Sequence, residues 1–193
     1  MTKIVCDARF PMTETISPID IITFWREAGQ ERWWKKNDAF DATIRARFLS
    51  TWEAARVGGL QDWRRSDDGL LALTIVLDQF PRNMFRGDAR TYATDALARE
   101  VASQAIAAGA DKRVDQMLRQ FLYMPFMHSE ALDDQERCVA LFSAAGEPES
   151  AKFAEGHADI VRRFGRFPHR NRILGRVTTA DEQAFLDEGG FSG

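Results

Sequence analysis

The amino-acid sequence predicts an all-α protein of about eight helices in stacked antiparallel pairs. Three observations carry that prediction. Apolar residues recur at steps of three and four through most of the chain. Ser, Thr, Asn or Asp stand where these stretches begin, and Gly stands where they end. No two alternating segments form a credible strand pair.

The first helix opens at Ser17-Pro18-Ile19-Asp20, where Ser caps, Pro takes the first position and Asp closes a capping box. Ile22, Trp25 and Ala28 follow at helical spacing, and Gly29 ends the run. The second opens near Asn37 or Asp38 and sets Phe40, Ile44, Phe48, Trp52 and Ala55 on one stripe before Gly58-Gly59. Ser66-Asp67-Asp68 caps a third helix, Gly69 to Gln79, whose Leu70, Leu71, Leu73, Ile75, Val76 and Leu77 leave almost no polar face. Apolar all round, it is the expected central helix. Asp88 is expected to begin a long alanine-rich helix reaching Ala108, and another should run from about Arg113 to Tyr123 until Pro125 breaks it. Ser129 to Ala145 and Pro148 to Gly165 complete the long helices, the latter with Phe153, His157, Ile160, Val161 and Phe164 on its apolar stripe. Thr178 or Thr179, with Asp181 or Glu182, starts a last short one.

Helices of this length joined by short turns fit a tetratricopeptide-like α-α superhelix. A clean repeat of about 34 residues is missing, so the repeats are irregular. Residues 1–17 read as an N-terminal extension and 18–193 as a single helical domain.

Composition narrows the function classes. A hydrophobic content of 45% supports a real core, and a formal net charge of −3 supplies no whole-molecule attraction to nucleic acid or anionic membranes. No stretch is apolar enough for a membrane span, and Lys3, Asp7 and Arg9 are unlike a secretory signal. Cys6 and Cys138 match no metal spacing and suggest free thiols in a reducing cytoplasm. P-loop, GxGxxG, GxSxG and HExxH patterns are absent.

The most informative feature is an echo. Phe80-Pro81-Arg82-Asn83 with Arg86-Gly87 recurs as Phe167-Pro168-His169-Arg170-Asn171 with Gly175-Arg176. Each Pro is expected to end the preceding helix, and each turn then releases an Arg and an Asn, which either cap the next segment or reach a ligand. Asp78 lies in the last turn of the most apolar helix, where the helix dipole disfavours an anion. It therefore needs positive partners, for which Arg82, Arg86, Arg166 and Arg170 are candidates, as a structural ion pair or as a catalytic acid. From Arg162 to Arg176 the chain carries six arginines and no acid. Such a run grips phosphate or carboxylate where it converges, and is otherwise neutralised by acids from elsewhere in the fold. His128-Ser129-Glu130, His157 and His169 hold all three histidines of the chain. No two share a chelating spacing on one helix, so neither a metal nor a cofactor is expected.

Trp25, Leu77-Asp78-Gln79-Phe80-Pro81-Arg82-Asn83, His128-Ser129-Glu130 with Gln135, and Arg163-Phe164-Gly165-Arg166-Phe167-Pro168-His169-Arg170-Asn171 resemble the motifs of an uncharacterised bacterial family, domain of unknown function 924. The resemblance runs from about Ile19 to Leu186. It implies the tetratricopeptide-like helical fold, and implies that Asp78, Arg82, Asn83, His128, Glu130, His157, Arg166, His169, Arg170 and Asn171 belong to the family's characteristic motifs. It carries no activity with it.

The expectation is a domain that binds a small anionic molecule or a peptide carboxylate, with Arg82, Arg166 and Arg170 gripping it and Asp78, Glu130 and the histidines orienting them. Asn83, Arg86 and Asn171 complete the candidate set. Two alternatives stand beside it. One is a hydrolytic or acid-base enzyme using a histidine with Asp78 or Glu130. The other is a protein-interaction scaffold with an aromatic groove near Trp33 and Trp34. Nucleic acid and membrane are not expected as partners, and the oligomeric state is open.

Overall fold

At Ser17, Asn37, Ser66 and Thr179 the expected caps open the expected helices. The computed structural model describes residues 16–191, so Cys6 and all of the expected extension except Ile16 and Ser17 lie outside the described residues. α1 (Pro18–Trp34) starts with Asp20 accepting from the Ser17 backbone N–H at 2.8 Å. Gly29, at φ 68°, interrupts it, and a further helical stretch runs on to Trp34. In α2 (Asp38–Arg56), Asn37 accepts from the Phe40 N–H at 2.9 Å, and the five stripe residues are all buried. Ser66 caps α3 (Asp67–Thr74) through the Gly69 N–H at 3.1 Å. A Cβ at position 69 would stand 1.9 Å from the Trp63 carbonyl, so this approach requires glycine.

The central helix then departs from expectation. Ile75–Gln79 forms a single π-turn, with the Phe80 N–H reaching the Ile75 carbonyl, and α4 (Phe80–Met84) continues without a stop. Pro81 therefore sits inside the helical run. Its missing N–H would leave the Leu77 carbonyl orphaned in a regular helix. The Thr94 hydroxyl donates to that carbonyl at 2.5 Å and accepts from Trp52 Nε1 at 3.1 Å. Thr94→Val keeps the shape but strips both partners. It is expected to lower the unfolding free energy by about 2 kcal/mol, read as a lower urea midpoint. A loss below about 0.5 kcal/mol would show that Thr94 does not satisfy Pro81's lost partner.

Three further expectations are corrected. The helix expected from Asp88 begins at Asp95: Ala89–Tyr92 is a 3-10 turn capped by Asp88, and α5 (Asp95–Ala107) follows Thr94. The helix expected over 113–123 does not form. Asp115 accepts from the Met117 N–H at 2.8 Å and from Arg26 of α1 at 2.9 Å, drawing the chain into turns. Pro125 starts α6 (Met124–Met127), taking a first-turn position where no N–H is needed.

α7 (Leu132–Ala144) begins three residues later than expected. It packs against α8 (Pro148–Phe164), from which it is separated by the short turn at Gly146. Gly165, at φ 70°, ends α8 before Pro168 is reached. Phe153 is exposed, outside the stripe expected for it, whereas His157 and Val161 are buried. In α9 (Ala180–Asp187) Glu182 accepts from the Thr179 N–H at 2.7 Å, completing its box.

The architecture is all-helical, with no strand among the described residues, and its pairs stack as an α superhelix: α1 on α3, α2 on α4, α3 on α5, α7 on α8. One contiguous apolar cluster runs from Ile21 of α1 to Ala154 of α8. At its centre Trp25 meets the rings of Trp33, Phe40, Phe80 and Phe121. No helix of the described residues is long and apolar enough to cross a membrane.

Candidate functional site

The π-turn carries Asp78 into the interior, where it is 0% exposed. Gln79 Nε2 donates to its carboxylate at 2.6 Å, and Arg82 Nη1 stands 3.3 Å away. His128, at the end of α6, places Nδ1 2.9 and 3.0 Å from the two carboxylate oxygens. A carboxylate only accepts, so Nδ1 carries the proton, and Nε2 of the neutral ring is the acceptor. Gln135 of α7 holds the chain on either side of His128, donating to the Met127 carbonyl at 2.7 Å and the Ser129 carbonyl at 2.5 Å.

Asp95, at the start of α5, takes Arg82 in a bidentate pair at 3.0 and 3.2 Å. Arg170, from the second Phe-Pro turn, approaches the same carboxylate at 3.8 Å. The arginines of the two echoed turns thus meet at Asp95. Arg170 lies against the rings of Tyr92 and Phe167, 4.5 Å from each centroid, and its buried Nε has no hydrogen-bond partner. Glu130 fastens that turn: it accepts from the Phe167 N–H at 2.8 Å and from Arg176 at 2.7 and 2.9 Å.

His157 and His169 line the same region, both in ring contact with Phe167 and Phe191. The His157 Nδ1–H donates to the Phe153 carbonyl at 3.0 Å.

Electrostatics follow from this packing. Burial would raise the Asp78 carboxyl, but Arg82 and His128 outweigh it and hold it below the usual carboxylate range. Burial, aided by Arg82 and opposed by Asp78, lowers His128. Burial pushes His157 down to about 4 against its bond to Phe153, and burial beside Arg170 pushes His169 down to about 4. Burial also lowers Arg170 from the ordinary guanidinium value.

These shifts predict an acid-sensitive fold. An unfolded histidine takes its proton near 6.5 and folded His157 near 4, so the unfolded state binds more protons between those values. Stability should therefore fall as pH drops from 6.5 to 4, and the loss from Asp78 and Glu182, held low by their partners, joins it from about pH 5 downward. Urea midpoints at several pH values should show a shallower fall in His157→Gln. Identical slopes in the two proteins would contradict a buried neutral imidazole.

The remaining predicted residues lie apart. Asn83 and Arg86 both turn to Asp41 of α2, at 2.7 Å and at 2.5 and 3.2 Å. Arg166 is taken by Glu182 at 2.6 and 2.8 Å and by the Val177 carbonyl at 2.8 Å, and Asn171 donates to Glu182 at 3.2 Å. The arginine-rich segment does not converge as a unit. Arg162 pairs with Glu155 and Asp159, Arg176 with Glu130, and Arg163 stacks on Phe164. A groove of about 310 Å³ beside Arg163 and Arg166 also holds Asp181 and Glu182, so no surplus positive charge gathers there. Arg166 and Arg86 are therefore spent on carboxylates of the fold.

Sequence reasoning missed Asp95 and Tyr92 and gave no role to Gln79 or Arg176, though both stand in motifs that it singled out. A helix read as starting at Asp88 hides Asp95 as an ordinary surface acid. No local pattern marks Tyr92 as the wall of an arginine site.

With this geometry in hand, comparisons place the chain among known proteins. The family model described as "Bacterial protein of unknown function (DUF924)" matches residues 21–190. A solved structure titled "Structure of Protein of Unknown Function ATU0120 from Agrobacterium tumefaciens" is 46% identical, with a TM-score of 0.86 over 89% of this chain and 97% of that one. No curated protein matches.

Proposed function

The chain belongs to the DUF924 family of bacterial proteins of unknown function, and we propose that its Asp78–His128–Arg170 cluster binds a small anionic ligand, a carboxylate foremost. One observation carries the reading. Among the arginines here, Arg170 has the least satisfied donors: its Nε is bare and its nearest carboxylate is 3.8 Å away, whereas Arg82 and Arg176 each hold a carboxylate in a bidentate pair, Arg176 with its own Nε also bare. The aromatic rings of Tyr92 and Phe167 occupy space beside the guanidinium and favour an anion arriving at its edge, the geometry of fork-like carboxylate recognition. Asp78 and Asp95 hold Arg82 in place, and Glu130 fixes the turn that bears Arg170. The cytoplasm is the proposed compartment, one in which the buried Cys138 thiol, pushed up to about 12 by burial, stays reduced.

The test is a thermal-shift titration with glutarate and with inorganic phosphate. Ligand at a hundred times its dissociation constant adds about 2.7 kcal/mol, a clear rise in Tm. The rise should fall away in Arg170→Lys, which keeps the charge but loses the planar fork, and persist in Arg86→Ala. An unchanged rise in Arg170→Lys, or none in the wild type, would overturn the reading.

A further inference from the structure

We infer that the same site is catalytic, with His128, oriented by Asp78, acting as the general base that activates water against the acyl carbon of a carboxylate-bearing ester held at Arg170. This rests on the anion-binding reading of Arg170 and adds a reaction to it.

Two carboxylates, Asp78 and Asp95, lie beside Arg82. Arg82 is already matched by Asp95 in a bidentate pair at 3.0 and 3.2 Å, so neutralising it does not require Asp78, whose contact is longer at 3.3 Å. A buried carboxylate is costly unless donors answer it, and the donors that approach the Asp78 carboxylate more closely than Arg82 are Gln79 and His128. What Asp78 does that Asp95 does not is hold the His128 ring through Nδ1, at 2.9 and 3.0 Å. That contact fixes the tautomer and aims Nε2 as an acceptor. Among the described residues nothing bonds Nε2, and 13% of the side chain stays open to solvent.

Two neighbouring groups that could compete as nucleophiles are unfit. Ser129 Oγ donates to Asp134 at 2.6 Å, and Cys138 is buried with its thiol proton held tightly. Water is left as the attacking group.

In the step, His128 Nε2 takes one proton from water as the water oxygen bonds to the acyl carbon. The tetrahedral adduct collapses with cleavage of the ester C–O bond, and the alkoxide takes the proton back from Nε2. The acid product leaves as a carboxylate and releases one proton to solvent. Charged or titratable groups facing the ring are Asp78, Arg82, Asp95 and His157. With Arg82 close and the ring buried, the base is neutral and competent at pH 7, so the rate should rise with pH and level off below neutrality.

The experiment follows release of 4-nitrophenolate from mono-4-nitrophenyl glutarate and from 4-nitrophenyl acetate. General-base catalysis contributes about 100-fold or more, so the wild type should exceed equimolar imidazole by about that factor on the anionic ester. His128→Gln should fall to background. Asp78→Asn should lose about tenfold or more and shift the pH midpoint, because an amide also stabilises the wrong tautomer. The preference for the anionic ester should collapse in Arg170→Lys. Should His128→Gln not fold, wild-type enzyme carbethoxylated at His128 must be inactive in its place. A rate no better than imidazole, or one surviving loss of His128, overturns the inference. If glutarate still binds through Arg170, only the catalytic step fails. If glutarate does not bind, the anion site fails with it.

Discussion

Asp78→Ala is expected to lower the free energy of unfolding by about 3 kcal/mol or more, the cost of removing one partner from a buried ionic group. Three donors lose their acceptor together: Gln79 Nε2, His128 Nδ1 and one edge of Arg82. Asp95 still holds Arg82, so the guanidinium is not stranded and the loss should stay near the lower end of the buried-pair range. Most of the cost is then the unanswered imidazole and amide, each leaving a desolvated donor. The double variant Asp78→Leu with His128→Leu should recover part of the loss, since both ends of one polar contact are replaced by apolar volume. Equilibrium urea unfolding at pH 7 measures both. A single-variant loss under about 1 kcal/mol would mean that the carboxylate is not held as described.

Trp25→Ala should cost about 3–5 kcal/mol, through cavity formation alone. The indole is fully buried against Trp33, Phe40, Phe80 and Phe121, which arrive from α1, α2, α4 and the turn before α6. Its Nε1 has no partner, so no hydrogen bond is lost with it. The bond that Trp33 Nε1 makes at this position, 2.8 Å to the Trp25 carbonyl, uses the backbone and survives the change. Denaturant unfolding should show a lower midpoint with an unchanged slope, as for a loss of stability without a change in exposed surface. A loss below about 1.5 kcal/mol would imply that the surrounding rings collapse into the space.

What the sequence made legible is the part governed by neighbours within four residues. The stripe Phe40, Ile44, Phe48, Trp52 and Ala55 and the caps Ser66 and Thr179 needed only local periodicity and hydrogen bonding. Asp78 was visible for the same reason: an anion at the end of an apolar helix is a local anomaly, and Arg82 lay one turn away. What stayed hidden depended on groups distant in the chain. Pro81 reads as a stop unless the Thr94 hydroxyl is known to answer the Leu77 carbonyl. A run of arginines reads as one positive patch until Glu182, Glu130, Glu155 and Asp159 are seen to take its members singly. The turns around Asp115 depend on Arg26, far earlier in the chain. Of the echoed turns, only the arginines come together. Their asparagines go to Asp41 of α2 and to Glu182 of α9.

The π-turn at Ile75–Gln79 has a consequence for how this helix tolerates changes in length. A regular α-helix advances about 100° per residue, and the wide turn absorbs one residue more than that winding accommodates. Deleting any one residue there would heal the helix into ordinary winding and leave α4 close to its present rotational phase, because the wide turn already takes up the extra residue. Pro81 would keep its surroundings and Arg82 its fork to Asp95, and the change would fall on the residues of the turn itself, Asp78 and its contact with His128 among them. The extra residue is a spare link: it widens the rod at the place where Asp78 is carried inside and leaves the winding on either side undisturbed.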